Sequence, residues 1–225
     1  MSTVGPGARR GAARLVLIRH GEAEAGGVQR MSGWTDLPLS GRGRRQAHLL
    51  AARLASEGRS FDAIYASPLQ RAAETARVLG GFTARPVRYV QTLKEICCGD
   101  LDGLAIREAR SRYPCAWRAN LRQDDEEFRW PGGESYREFR DRCLQATEQI
   151  AQRERGRVVA IVTHAGVISQ VFGALRGLSS AQWEPYRPGN ASLSEIDWRG
   201  PSRRIVCFDD SSHLQPRAQR FASGA

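Results

Sequence analysis

Two of the four histidines stand directly behind the most apolar runs in the chain. His20 follows residues 15–18 (Leu, Val, Leu, Ile) and Arg19, and His164 follows residues 158–162 (Val, Val, Ala, Ile, Val) and Thr163. Arg71 lies just past a third run, residues 61–66, near the amino end of the helix expected next. That end of a helix already favours anions, so a cation there serves an anion better than it serves the helix. Two imidazoles and two guanidiniums make a positive pocket for a dianionic phosphoryl group, with arginine forks matching its oxygens in pairs. A neutral imidazole is a nucleophile toward phosphorus near pH 7. A metal centre is the rival chemistry, but it calls for carboxylates at ligand spacing, and arginines repel the ion. A serine hydrolase lacks its G-x-S-x-G turn.

Strands must bring these residues together. Short apolar runs rich in β-branched residues and followed by glycine read as interior strands of a parallel sheet, whose carboxyl ends face ligands. Arg19, His20 and Gly21, the last read as a hinge, then lie where a site is expected. Ser40 caps a helix carrying Ala47, Leu50, Ala51 and Leu54, which Gly58 closes. Ser67 and Pro68 read as the cap and first residue of the next helix, with a stripe of Leu69, Ala72, Ala73, Ala76 and Leu79. A strand over 86–90 leads to a loop over 92–103. Ser135 and Glu138 form a capping box that opens a long helix through about Arg153. A strand over 157–163 and a buried helix over 167–175 come next, then two edge strands over 190–198 and 203–208. Alternating strands and helices predict a three-layer α/β/α sandwich with a mostly parallel central sheet. The expected organisation is a flexible segment over 1–13, one domain over 14–208 with an insertion or lid over about 104–133, and a mobile tail over 209–225.

The 225 residues suffice for one well-buried domain, and no apolar run approaches a membrane span. Five unevenly spaced cysteines form no metal-ligand motif and suit a reducing compartment, so the expected location is cytoplasmic. The net charge of +10 invites a nucleic-acid reading, but only one of the 34 basic residues is a lysine, Lys94. That ratio looks like a compositional habit, and no aromatic-interleaved basic module is present.

The motifs LIRHGE at 17–22, SPLQRAAETA at 67–76, LKE with G-x-x-x-G at 93–103, PGGES at 131–135 and VTHAGVI at 162–168 resemble the histidine phosphatase superfamily, also called phosphoglycerate mutase-like. The resemblance implies that fold and a phosphohistidine mechanism with no metal and no cofactor. His20 would attack phosphorus, Arg19, Arg71 and His164 would hold its oxygens, and Glu95 would be the proton donor. Ser32 and Gly33 match positions that touch phosphate or substrate in relatives, and Glu22 would either order the loop or meet substrate. Gly26 stands where an asparagine is frequent, and Cys98 where the phosphatase branch often carries phenylalanine, which implies a larger pocket. The residues that grip phosphoglycerate in mutases are missing after Glu95. The expected function is therefore hydrolysis of a small-molecule phosphate ester by a phosphomonoesterase, without a nucleic-acid or membrane partner. The alternatives are a phosphoglycerate-type mutase and a catalytically idle phosphate-binding module; a homodimer is left open.

Overall fold

The apolar runs become the interior of one six-stranded sheet. A computed structural model describes residues 11–215; residues 1–10 and 216–225, parts of the expected flexible ends, lie outside it. The sheet is ordered β3 (Val87–Tyr89), β2 (Ala63–Ala66), β4 (Val158–Thr163), β1 (Ala13–Arg19), β5 (Leu193–Arg199) and β6 (Ser202–Asp210). The first four strands are mutually parallel, and β5 runs antiparallel to both of its neighbours, β1 and β6. Helices α1 (Gly41–Ser56) and α2 (Gln70–Thr83) pack on one face around Leu50, Leu54, Phe61, Ile64 and Leu79. Helices α5 (Tyr136–Arg153) and α6 (Ala165–Leu175) cover the other around Phe139, Ile150, Ile161 and Phe172. This is the expected three-layer sandwich.

Register then places the chemistry. Arg19 pairs with Thr163 across β1 and β4, and Ala66 pairs with Val162 across β2 and β4. His20, His164 and Ser67 therefore leave the sheet side by side at its carboxyl edge. On the same edge, α5 begins with the expected capping box, in which Ser135 accepts from the Glu138 amide and Glu138 accepts from the Ser135 amide.

Four local expectations are corrected. Helix α2 starts at Gln70 rather than at Pro68, because Ser67 is engaged elsewhere and the Asp36 carboxylate accepts from the Gln70 amide at 2.6 Å. Strand β5 is interior, buried on both faces between β1 and β6, so only β6 is an edge at that side. The ordered chain also continues past Phe208. Asp209 accepts from the Gly189 amide at 2.7 Å, Asp210 pairs with Arg53 at 2.6 Å, and a 3₁₀ turn covers Ser212–Leu214. Gly21 is a close-packing position rather than a hinge: an added Cβ would sit 3.0 Å from the Gly43 carbonyl carbon.

The region over 104–133 is less irregular than its sequence suggests. It holds α3 (Ile106–Arg112) and α4 (Pro114–Arg122) and shares a small apolar cluster of Cys98, Leu101, Ala109, Phe128, Trp130 and Tyr136. Among the described residues no helix is long and apolar enough to cross a membrane.

Candidate active site

His20 is buried, and its Nδ1 lies 2.7 Å from the Gly21 carbonyl oxygen. A carbonyl only accepts, so Nδ1 carries the hydrogen and Nε2 of the neutral ring keeps its lone pair. Burial pushes His20 well below the ordinary 6.5, and the positive charges of Arg71 and Arg19 push the same way. The backbone behind the ring is fixed as well. The His20 carbonyl accepts from the Ala191 amide at 3.1 Å and from Asn190 Nδ2 at 3.3 Å.

The His164 ring stands edge-on to His20, with centroids 5.1 Å apart. Its Nε2 meets Ser67 Oγ at 2.8 Å, while the buried Nδ1 has no protein partner. Burial first, then Arg71 and His20, hold this imidazole well below its ordinary value too.

The guanidiniums supply the charge. Arg71 is 1% exposed and gives Nη1 to the Thr35 carbonyl and Nη2 to the carbonyls of Ser32 and Gly33, at 2.7 to 2.9 Å. Arg19 gives Nη1 to the Pro188 carbonyl at 2.7 Å. Both Nε atoms are buried without a partner, and among the described residues neither side chain is in an ion pair. Burial lowers Arg71, and it lowers Arg19 to about 10, with the nearby charge of Arg187 adding to the effect. A buried and a half-buried cation hydrogen-bonded only to carbonyl groups are costly unless an anion joins them.

Glu95 lies in the irregular stretch after β3. Its Oε2 accepts from the Gly166 amide at 3.0 Å and its Oε1 from the Ile96 amide at 2.9 Å. The carboxylate thus sits on the amino end of α6, where negative charge is favoured. Among charged groups it is the strongest influence on Arg71, and it also acts on Arg19. The structure therefore brings together His20, His164, Arg19, Arg71 and Glu95 from four different strand ends.

The remaining expected residues are placed differently. Ser32 and Gly33 meet Arg71 through their carbonyl oxygens, and a side chain on Gly33 would press into Cys98 Sγ at 2.9 Å. Glu22 turns its carboxylate to Ser40 Oγ at 2.9 Å and to Arg42, at the start of α1. Among the described residues no three His, Cys, Asp or Glu side chains converge in a way that could hold a metal ion.

The profile of the histidine phosphatase superfamily (branch 1) matches residues 15–211, which contain every residue of this cluster. The chain belongs to that superfamily. It is 34% identical over 201 residues to a metal-independent phosphoserine phosphatase of Arabidopsis thaliana, covering 89% of this chain and 82% of the relative. It is 33% identical over 204 residues to phosphoglycerate mutase-like protein 4 of the same plant, covering 90% and 87%. Among solved structures, YhfR of Bacillus stearothermophilus superposes with a TM-score of 0.83 at 32% identity, covering 91% of this chain and 100% of that one.

Four residues that hold this cluster together escape a reading of the sequence. Ser67 reads as a helix cap, yet it holds His164. Thr75 accepts from the Gly21 amide at 3.1 Å and donates to the Arg71 carbonyl, tying the two strand ends together. Thr35 acts only through its carbonyl, which leaves no sequence signal. Trp34 donates from Nε1 to the Glu95 carbonyl at 2.8 Å while its ring carries Lys94 Nζ at 4.5 Å. An exposed tryptophan within a loop next to the arginine contacts is the one available clue.

Proposed function

We propose that the protein is a phosphomonoesterase that hydrolyses a small phosphorylated metabolite through a phosphohistidine on His20. One observation carries this reading: a buried and a half-buried guanidinium, neither in an ion pair among the described residues, flank a neutral imidazole whose Nε2 holds a free lone pair. Arg19, Arg71 and His164 bind the phosphoryl oxygens. With Ser67 Oγ donating to Nε2 of His164, Nδ1–H is left as a donor without a protein partner.

The reaction runs in two displacements. His20 Nε2 forms the N–P bond while the ester P–O bond breaks, and the departing oxygen takes its proton from the Glu95 carboxyl group. The resulting carboxylate then takes a proton from water as the water oxygen bonds to phosphorus. The N–P bond breaks, its electron pair returns to Nε2, and inorganic phosphate leaves. The preorganised cations act where charge is spread over the equatorial oxygens, the usual main source of rate in phosphoryl transfer.

Phosphoserine and similar phosphate monoesters are the proposed substrate class, supported by the activity named for the Arabidopsis phosphatase. The likeness to a mutase-like protein supports phosphoglycerate isomerisation as the second reading. Purified protein in chelator, offered phosphoserine, sugar, nucleotide and glycerate phosphates, separates the two. Release of inorganic phosphate supports the phosphatase, and isomerisation of phosphoglycerate without hydrolysis overturns it.

A further inference from the structure

Glu95 stands in residues 94–98, a stretch without regular secondary structure, so its backbone must be held in place from outside the stretch. The side chain that does so is Arg142, two turns into α5. Its Nη1 donates to the Thr92 carbonyl at 2.9 Å and to the Lys94 carbonyl at 2.7 Å. Its Nη2 donates to the Glu95 carbonyl at 2.8 Å and to Glu134 Oε1 at 2.6 Å, and its Nε donates to Glu134 Oε2 at 2.8 Å. Glu134 in turn accepts from the Cys97 amide at 2.6 Å. The pair therefore grips the backbone on both sides of Glu95.

We infer that Arg142 and Glu134 form a positioning pair that sets the Glu95 carboxyl group for proton transfer to the leaving oxygen. The inference rests on the phosphatase reading above. Arg142 uses all five guanidinium N–H donors, which a lysine ammonium with three cannot reproduce. The two side chains are only 18% and 15% exposed, so the pair is shielded from solvent, unlike the weak ion pairs of the surface. Both residues belong to the capped start of α5: Glu134 immediately precedes the N-cap Ser135, and Phe139 of the same helix stacks under the Arg142 guanidinium at 4.6 Å. A rigid helix thereby dictates the path of an irregular loop. The grip is made on main-chain atoms of residues 92, 94, 95 and 97, so it constrains Glu95 without touching its carboxylate.

General acid catalysis matters most when the leaving group is a poor one. An alkoxide, as from phosphoserine, needs its proton; p-nitrophenolate leaves without one. Misplacing Glu95 must therefore damage the two substrates unequally, whereas a general loosening of the fold damages them alike. The test compares kcat/KM, which reports on formation of the phosphoenzyme, for phosphoserine and p-nitrophenyl phosphate in the wild type, Arg142→Lys and Glu134→Gln. The expected loss is about 10²-fold on phosphoserine and less than about tenfold on p-nitrophenyl phosphate. Glu134→Gln keeps the shape of the side chain and carries the test if Arg142→Lys does not fold. Equal losses on both substrates, or no loss, in a folded variant overturn the inference. A wild type that hydrolyses neither ester overturns the functional reading instead.

Discussion

Gly166 offers a perturbation aimed at the Glu95 carboxylate. It occupies the first turn of α6, and its amide donates to Glu95 Oε2 at 3.0 Å. A Cβ added there would lie 3.0 Å from the Glu95 carboxyl carbon and 3.0 Å from Phe139 Cε1, and closer still to Oε1. Ordinary contact is roughly 3.5 Å, and Phe139 is buried in the core and cannot retreat. The carboxylate must back away by on the order of 1 Å, a misplacement that costs about 10²-fold in rate when a catalytic group is concerned. The backbone at Gly166 is not in the left-handed region, and alanine favours helix by up to about 1 kcal/mol over glycine. Gly166→Ala should therefore lose about 10²-fold in kcat/KM for phosphoserine, while the melting temperature falls modestly, because the contact with Phe139 costs roughly 1–3 kcal/mol against that helix gain. Steady-state phosphate release together with a thermal melt measures both. Wild-type turnover in a folded variant would refute a Glu95 role set by its seat on α6.

The same geometry fixes two further outcomes. Arg71→Ala removes a buried donor fork and should lower kcat/KM by about 10² to 10³; a loss below about threefold contradicts its role as a phosphoryl clamp. The pH dependence of stability has a definite sign. His20 and His164 are held neutral by burial, well below the 6.5 of the unfolded chain, and His213 is shifted the same way. Below pH 6.5 the unfolded state binds protons that the native state refuses, so stability falls with decreasing pH in that range and is flat just above it. Denaturant unfolding between pH 8 and 5 in phosphate-free buffer checks this, and a stability that rises on acidification from 6.5 would contradict the buried neutral pair.

The strand ends are legible in the sequence because a buried parallel strand cannot hide: residues 15–18 and 158–162 have nowhere to go but a core, and the residues directly behind them land at one edge. Arg71 is legible as a cation where a helix does not want one. Strand β5 reads as an edge because Ser194 and Glu195 look solvent-facing, whereas Ser194 accepts from the Asp209 amide at 3.0 Å and Glu195 pairs with Arg59 at 2.7 Å. Ser67 is hidden because Ser-Pro is a true helix-start signal, and nothing in the chain near it announces His164, 97 residues away. Arg142 and Glu134 are invisible for a stronger reason. They act on carbonyl and amide groups that every residue carries, so no residue type at 92, 94, 95 or 97 betrays them.

The proposed hydrolysis passes through a covalent bond between phosphorus and His20. Protein mixed with phosphoserine or p-nitrophenyl phosphate, quenched in alkali within the first turnover and digested, should yield the peptide containing His20 with one phosphoryl group that is stable in base and lost in acid. His20→Ala should yield neither the adduct nor turnover. A phosphoryl group found on another residue, or undiminished hydrolysis by His20→Ala, would contradict the mechanism.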